Sequence, residues 1–375
     1  MRFLFACGGT AGHINPALAV AGRLRELMPD CEILFVGCRK QMETVLVPKS
    51  GYDIKVVRVW GMSREKNLKG LKHNIKAFYL MLKATAQAKR IIREFKPDVV
   101  IGTGGYVCYP VLKAAAKLGI PTAVHESNAV PGLTTKKLAA IVDKILLGFE
   151  DSRKYYKQKE KTFVTGTPVR GEFDAYTKEK AKAELGIPIN KPLVVSVWGS
   201  LGASTMNGAM CEFIKLAGDD PGFRLIHSAG SEGFENMMDT LIKTVPDFEK
   251  NGMEVREYIY DMPRVMAAAD LVLCRAGAST VSELAYMHKP TIFVPSPFVT
   301  NNHQYKNAKV AADAGGAVLI EESALQPSVL FDEVKRILAS KEELGRMSAG
   351  MAKLSAPDAV NVITEQILSL CEKHK

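Results

Sequence analysis

The chain alternates short apolar runs with longer stretches in which apolar residues recur at helical spacing. The runs are rich in Val, Ile and Leu without polar alternation, which is typical of strands buried on both faces of a parallel sheet. In the first half we predict strands at residues 2–7, 32–37, 55–59, 98–102, 122–125 and 144–148. Helices between them, such as 16–28 and 110–118, complete repeated strand–helix units.

The second half repeats this scheme. Strands are predicted at residues 193–197, 224–228, 255–259, 271–274, 291–294 and 317–319, and helices begin near Gly202, Glu232, Pro263, Thr280, His303 and Pro327. Two such halves predict an α/β protein with two Rossmann-like parallel-sheet domains. A turn-rich stretch near 165–168 indicates the boundary between the two domains, so we predict domains at residues 1–165 and 166–353. We expect the final helix, within 354–375, to pack back onto the first domain.

Composition narrows the class of protein. Hydrophobic residues make up 47% and charged residues 24% of the 375 positions, as in an ordinary globular chain. No apolar run reaches the roughly 18 residues of a membrane-spanning helix, and the first run is too short for a signal peptide. Seven scattered cysteines, an odd number without a Cys-x-x-Cys motif, indicate a reducing compartment rather than a disulfide framework.

The positive charge is concentrated in the first half. Residues 1–165 carry 28 Lys and Arg against 13 Asp and Glu, a net charge of +15, whereas the whole chain has +10. This asymmetry indicates an anionic partner: a nucleic acid, a membrane surface or a phosphorylated substrate. Within 60–97, ten basic residues accompany an apolar helical stripe that we assign to the core side: Leu68, Leu71, Ile75, Phe78, Tyr79 and Leu82.

A neighbouring face of the same helix carries Lys72, Lys76 and Lys83 together with Leu80. A basic face with extra apolar residues is typical of a peripheral membrane helix. An ordinary solvated amphipathic helix has the same pattern, so both interpretations stay open at this point.

Four glycine-rich loops, at 8–13, 102–106, 198–203 and 275–280, follow predicted strands. Small residues there let backbone N–H groups approach an anion, and ligands of open α/β sheets bind at the carboxyl ends of strands. One such loop could be a tight turn without a ligand; four indicate a ligand held between two facing sheets. The P-loop and the dinucleotide fingerprint do not occur, which disfavours an ATPase or a dehydrogenase.

Five motifs carry a family resemblance. They are Gly8-Gly9-Thr10-Ala11-Gly12-His13, Gly104-Gly105-Tyr106, and the segments 125–132, 274–283 and 303–308. In this order they resemble the N-acetylglucosaminyltransferases of peptidoglycan synthesis, in glycosyltransferase family 28. The resemblance implies the GT-B fold, two Rossmann-like domains facing across a cleft.

The resemblance also implies the reaction. The donor would be UDP-GlcNAc, and the acceptor lipid I, undecaprenyl-pyrophosphoryl-MurNAc-pentapeptide. Inverting transfer to the MurNAc 4-hydroxyl would give lipid II. The enzyme would be peripheral, on the cytoplasmic face of the cell membrane and bound to its anionic surface, with other cell-wall synthesis proteins as further partners.

Family matching assigns catalytic roles to His13 and Glu126. Inverting transfer is a single displacement that needs a base for the acceptor proton, and histidine titrates in a suitable range. Glu126 is the rival base, and His13 could instead orient the acceptor. The acceptor-binding residues implied by the resemblance are Gly104, Gly105 and Tyr106.

A longer set is implied for the donor: Thr10, Ala11, Gly12, Asn128, Arg170, Ser200, Ile259, Ala278, Ser279, Thr280, Val281, Ser282, Glu283 and Gln304. Glu283 would accept hydrogen bonds from the ribose hydroxyls at the start of a helix. Ser200 and Arg170 would contact the diphosphate. The Ile259 backbone would contact uracil, and Gln304 and Asn128 the sugar.

No cofactor or metal is expected, because the chain has no Asp-x-Asp motif to hold a metal on the diphosphate. The chain departs from the family pattern at Trp198, Leu201, Ser204, Thr167 and the Asn301–Asn302 pair, which affects the details of the phosphate and acceptor contacts. One alternative is a related GT-B transferase with another lipid acceptor, such as a diacylglycerol. The other, a nucleic-acid-binding protein, is disfavoured by the 7% aromatic content and leaves the glycine loops unexplained.

Overall fold

The chain divides into two units in the computed structural model, which describes residues 1–61, 67–169, 171–199 and 202–372. The first unit comprises Met1–Val169 and Ala356–Lys375, and the second comprises Arg170–Ser355. The last helix thus belongs to the unit that contains the N-terminus.

A parallel sheet forms the centre of the first unit. Its strands are β1 (Arg2–Cys7), β2 (Glu32–Cys38), β3 (Asp53–Val57), β4 (Val99–Gly104), β5 (Thr122–Glu126), β6 (Lys144–Leu147) and β7 (Thr162–Val164). Their order is β3-β2-β1-β4-β5-β6-β7, with the order reversing at β1. The central strands are buried, as their uninterrupted apolar runs predict. This arrangement brings the loops after β1, β4 and β5 to one edge of the sheet.

Helices cover both faces of that sheet. They are α1 (Ala11–Leu27), α2 (Glu43–Lys49), α3 (Leu68–Phe95), α4 (Cys108–Lys117), α5 (Leu133–Leu138) and α14 (Ala359–Glu372). Helix α14 packs against α1 and buries Ile363 and Ile367 in the core. Arg23 donates a 2.7 Å hydrogen bond to Asn361, and Lys144 donates to the Gln366 carbonyl at 3.1 Å. These contacts anchor the last helix to the first unit.

A second parallel sheet forms the centre of the second unit. Its strands are β8 (Leu193–Val197), β9 (Arg224–Ser228), β10 (Met253–Arg256), β11 (Leu271–Cys274), β12 (Thr291–Phe293) and β13 (Ala317–Leu319), in the order β10-β9-β8-β11-β12-β13. The helices are α6 (Lys178–Glu184), α7 (Ser204–Ala217), α8 (Phe234–Thr244), α9 (Met262–Ala268), α10 (Ala278–Tyr286), α11 (His303–Asp313), α12 (Pro327–Leu338) and α13 (Lys341–Ala352). The predicted fold class, two Rossmann-like parallel-sheet domains, is confirmed.

Several element boundaries differ from the prediction. Helix α1 begins at Ala11, not at Pro16, so the end of the first glycine motif and His13 form its first turn. Proline is common at the first helical position, which misplaced the predicted start. Strand β10 ends at Arg256, so Ile259 lies beyond the strand. Strand β7 was not predicted.

The predicted core side of α3 is wrong. Leu71, Ile75, Phe78, Tyr79 and Leu82 are each more than half exposed. The buried face consists instead of small residues and one isoleucine: Ala77, Ala84, Ala88 and Ile92. Positions two apart on a helix differ by about 200°, so the exposed stripe and the buried alanines lie on nearly opposite faces. Periodicity identified an apolar stripe but could not tell which face packs on the sheet.

In the described part of the chain, no helix has the length and hydropathy required to cross a bilayer. Within the same residues, no group of three or more His, Cys, Asp or Glu side chains has an arrangement suited to a metal ion.

Candidate active site

The β1–α1 loop positions His13 in the first turn of α1. His13 Nδ1 lies 3.0 Å from the Gly8 carbonyl oxygen, and the Thr10 hydroxyl lies 3.3 Å from the same nitrogen. A carbonyl oxygen only accepts hydrogen bonds, so Nδ1 carries the proton. The Thr103 hydroxyl donates a 2.6 Å bond to the His13 carbonyl. The bond to Gly8 therefore favours the Nδ1–H tautomer of the imidazole, in which Nε2 is the hydrogen-bond acceptor.

The β4–α4 loop packs directly on this turn. Gly104 has φ +129°, and a Cβ on it would lie 2.2 Å from Cδ2 of His13. A Cβ on Gly105 would lie 2.4 Å from the Gly8 carbonyl oxygen. Only glycine allows this approach, which brings two of the predicted acceptor residues against the predicted base. The third, Tyr106, is 55% exposed beside Gly61.

Glu126 ends β5 and organises the loop that follows. Its Oε1 accepts from the backbone and the side-chain amide of Asn128 at 3.0 and 2.9 Å, and its Oε2 accepts from the Gly132 amide at 2.9 Å. The side chain is only 4% exposed. Both oxygens are thus engaged in holding the loop that presents Asn128.

His125, quoted in a motif but given no role by the sequence analysis, is buried beside Glu126. Its Nε2 donates to the Gly166 carbonyl at 2.9 Å, and the Ser127 hydroxyl lies 3.3 Å from Nδ1. Burial lowers its pKa, and the bond to Gly166 opposes that shift. A neutral His125 therefore ties the end of β5 to the segment after β7.

In the second unit, helix α10 carries the longest predicted donor motif. The helix begins at Ala278, so Ala278, Ser279 and Thr280 form its first turn. The Ser279 hydroxyl is buried and has no hydrogen-bond partner among the described residues. Val281 is fully buried and anchors the helix. A first turn with unbonded backbone N–H groups and small polar side chains can receive phosphate oxygens.

Ser282 and Glu283 follow in the second turn. The prediction that Glu283 opens the helix is wrong, because it is the sixth residue of α10. Preference for acidic residues at helix starts therefore does not account for this carboxylate. Burial raises the pKa of the Cys274 thiol, and the nearby negative charge of Glu283 raises it further.

Gln304 lies in the first turn of α11, after two asparagines with left-handed backbones at φ +54° and +53°. Among residues other than glycine, asparagine is one of those that adopt this conformation most readily. Gln304 Oε1 accepts a 2.8 Å hydrogen bond from the Ser296 backbone N–H. The NH₂ group of the Gln304 side chain therefore points away from Ser296. The Asn307 side chain donates to the Ala276 carbonyl at 3.2 Å, linking α11 to the loop before α10.

A cavity of about 350 Å³ opens at the start of α11. Its lining includes Asn302 and Tyr305 from the start of α11, Thr205 from α7 and Glu321. The sheet order places the loops after β8, β11 and β12 side by side at the same edge. The predicted donor residues of α10 and α11 therefore follow neighbouring strands, but neither Gln304 nor a predicted residue of α10 is among the residues that line the cavity.

Ile259 is buried in the loop after β10. It stands between two exposed tyrosines, Tyr258 and Tyr260, whose ring centres are 4.9 Å apart. Neither ring is among the predicted site residues, although both lie beyond the carboxyl end of a strand, where ligands of open α/β sheets bind.

Trp198 points into the core instead of into the loop it precedes. It is 3% exposed, and its indole donates to the Ser196 hydroxyl at 2.8 Å, while His227 Nδ1 lies 2.9 Å from that oxygen. Burial lowers the pKa of His227 to about 3, so this network is uncharged. The predicted contacts of Arg170 and Ser200, and the departure at Leu201, fall outside the described residues.

Comparison with known proteins bears on this arrangement. The model of the glycosyltransferase family 28 N-terminal domain matches residues 3–147, and that of the C-terminal domain matches residues 193–363. The chain belongs to glycosyltransferase family 28. The predicted enzyme class, a glycosyltransferase, is thereby confirmed.

A relative from Acetivibrio thermocellus is 41% identical over 367 residues, covering 98% of this chain and 97% of its own. It is named UDP-N-acetylglucosamine–N-acetylmuramyl-(pentapeptide) pyrophosphoryl-undecaprenol N-acetylglucosamine transferase. The crystal structure of Acinetobacter baumannii MurG is similar with a TM-score of 0.77 and 27% identity, over 98% of this chain and 99% of that one. An S. aureus MnaA–UDP structure shares the fold, with a TM-score of 0.68, 15% identity and coverage of 98% and 97%.

Proposed function

We propose that this family 28 enzyme transfers N-acetylglucosamine from UDP-GlcNAc to the MurNAc 4-hydroxyl of lipid I, forming lipid II. The observation that carries the proposal is the 41% identity, along nearly the whole chain, to a relative named for that reaction. Both family domains are present in the expected order. The reaction inverts the anomeric centre in one displacement.

His13 is the base in this proposal. Its Nδ1–H is bonded to the Gly8 carbonyl, which leaves Nε2 to take the proton of the acceptor hydroxyl. As that oxygen bonds to C1 of GlcNAc, the bond from C1 to the UDP phosphate oxygen breaks, and UDP leaves with the electron pair. Glu126 is the weaker candidate, because both of its oxygens already accept N–H groups of its own loop.

The second unit binds the donor in this proposal, and the first unit, including α14, binds the acceptor and the membrane. The first turn of α10 receives the diphosphate through backbone N–H groups and the Ser279 hydroxyl, which has no hydrogen-bond partner among the described residues. Glu283 accepts from the ribose hydroxyls, and the NH₂ group of Gln304 donates to a sugar hydroxyl. Arg170 and Ser200 complete the diphosphate site by resemblance, and the mechanism requires no metal.

Helix α3 supports peripheral attachment at the cytoplasmic face of an anionic membrane. Its exposed apolar stripe is larger than expected, because the residues assigned to the core face solvent. Lys76 lies 4.5 Å from the Trp60 ring and Lys83 lies 4.6 Å from the Tyr79 ring, so cations border the apolar side chains. Apolar insertion combined with attraction of lysines to acidic headgroups is the physical basis of interfacial helices.

The deciding experiment measures transfer of radiolabelled GlcNAc from UDP-GlcNAc to a short-chain lipid I analogue. Label in the disaccharide product, absent without acceptor, is the expected result. Diacylglycerol is offered in parallel, because a related transferase with another lipid acceptor is the alternative. Labelling of diacylglycerol with none of the lipid I analogue would overturn the proposed acceptor.

A further inference from the structure

A buried carboxylate, Glu43, lies beneath the β1–α1 loop and has no role in the mechanism so far. It is the first residue of α2 and is fully buried. Its Oε1 accepts the Cys38 amide N–H at 2.7 Å, and its Oε2 accepts the Gly9 amide N–H at 3.0 Å. Both oxygens are thus engaged by backbone donors, one of them in the loop that precedes His13.

The surrounding residues leave room for this side chain and for little else. A Cβ on Gly8 would lie 2.3 Å from Oε1 of Glu43, and a Cβ on Gly37 would lie 2.5 Å from its Cγ. Burial, reinforced by the negative charge of Glu43, raises the pKa of the Cys38 thiol to about 12. Cys38 therefore stays neutral near pH 7 and adds no second negative charge beside the carboxylate.

One peptide group connects Glu43 to His13. The Gly9 N–H that donates to Glu43 and the Gly8 carbonyl that accepts from His13 Nδ1–H belong to the same peptide unit. Hydrogen bonds in a chain polarise one another, so a carboxylate at the N–H end makes the carbonyl oxygen a stronger acceptor. The carboxylate, the peptide and the imidazole form a continuous chain with N···O distances of 3.0 Å at both bonds.

We propose that Glu43 is a positioning residue for His13, acting through the Gly8–Gly9 peptide. It fixes the loop so that Nδ1 keeps its proton, and it stabilises the positive charge that forms when Nε2 takes the acceptor proton. Glu43 itself takes no proton. Its role matches that of the carboxylate in a Ser-His-Asp triad, which orients the histidine and stabilises the imidazolium, but here a peptide group lies between the two. The inference rests on the proposed role of His13.

The first test compares Glu43→Gln with a matched control, Asp143→Asn. Asp143 also accepts a backbone N–H in the first unit, from Thr122 at 2.8 Å, but at the amino end of β5. Glu43→Gln places an NH₂ group against backbone donors and removes the charge. We expect kcat to fall about 10- to 100-fold, the range found when a hydrogen-bond partner that orients a metal-bound histidine is lost, which is a positioning role of the same kind. The KM for UDP-GlcNAc should change much less than kcat, and Asp143→Asn should keep the wild-type kcat.

A spectroscopic measurement reports on His13 without turnover. In ¹⁵N-histidine-labelled enzyme, with the His13 signals assigned by their loss in His13→Ala, we expect the neutral ring to be the Nδ1–H tautomer. In Glu43→Gln the Nε2–H tautomer should become populated. An unchanged tautomer together with an unchanged kcat would overturn the proposal.

A double-mutant cycle separates positioning of His13 from a general structural role. Adding Glu43→Gln to His13→Ala should lower kcat by less than about threefold more, because groups that act as one unit are not additive. A full additional loss would overturn the inference while leaving His13 as the base. A wild-type kcat in His13→Ala alone would instead refute the proposed base. If Glu43→Gln does not fold, Glu43→Asp, which keeps the charge on a shorter arm, takes its place in the cycle with the same expectation.

Discussion

At the scale of single residues, the site depends on which nitrogen of His13 is free. The Gly8 carbonyl holds Nδ1–H, so removal of the imidazole takes away both this hydrogen bond and Nε2. We expect His13→Ala to lower kcat about 10²–10⁴-fold, the usual contribution of a general base. UDP affinity, measured by calorimetry, should not change. A kcat within threefold of wild type at saturating acceptor would exclude His13 as the base.

Glu283 gives a second prediction at this scale. Glu283 lies in the second turn of α10, beyond the first turn that receives the diphosphate in the proposal. Its carboxylate is therefore placed to accept hydrogen bonds from the adjoining ribose. Loss of charge-assisted hydrogen bonds to ribose costs about 1.5–3 kcal/mol, so Glu283→Ala should weaken UDP binding roughly 10- to 150-fold. Glu232→Ala, in the loop before α8, is the control and should bind UDP normally. Wild-type UDP affinity in a folded Glu283→Ala enzyme would refute the ribose contact.

Sequence motifs predict His13, Glu126 and Glu283 as site residues, because each stands in a segment that matches the family pattern. They could not locate Glu43, which lies 30 residues after His13 and reaches the loop only through folding. Nor could they show that Glu126 has both oxygens engaged, since that depends on the path of the chain through residues 128–132.

At the scale of secondary-structure elements, strands were predicted well because a buried parallel strand has one dominant signal, a short apolar run. The buried faces of the helices were not predicted as well. In α3 the large apolar residues form the stronger stripe, yet the core side consists of alanines. Small residues allow α3 to pack closely on α4, a preference that hydrophobicity alone does not report. The correction leaves large apolar side chains available for a lipid surface.

The exposed face of α3 gives an element-scale prediction. Ile75 and Phe78 are 64% and 62% exposed, so Ile75→Gln with Phe78→Gln should leave thermal stability unchanged. Inserting such side chains into a bilayer contributes about 1.5–3 kcal/mol each, so co-sedimentation with anionic vesicles should weaken by at least tenfold. Ile242→Gln, at a 57% exposed position in the second unit, should bind vesicles normally.

The lysines of α3 act by a different force and are tested separately. Lys72, Lys76 and Lys83 replaced together by Glu should also release the enzyme, since each basic residue near an anionic surface contributes about 1 kcal/mol. Added salt should mimic this variant through screening but should affect the apolar variant less. Activity on a water-soluble acceptor should survive in both. Undiminished vesicle binding by both variants would rule out α3 as the attachment surface.

At the scale of the whole molecule, each unit has its own sheet and its own hydrophobic core. The last helix closes the core of the first unit through Ile363 and Ile367, so the first unit is completed only by the C-terminal segment of the chain. The donor site proposed here lies in the second unit. Stability of the two units should therefore respond to different changes.

Scanning calorimetry tests this independence. Ile367→Ala removes a fully buried side chain and should destabilise the first unit by about 2–5 kcal/mol, lowering one unfolding transition by several degrees. UDP at 100 times its Kd stabilises the state that binds it by about 2.7 kcal/mol and should raise only the other transition. In Ile367→Ala with UDP the two transitions should therefore move apart. A single transition that shifts as one under both changes would show that the units unfold together, and the separate roles of the two cores would have to be abandoned.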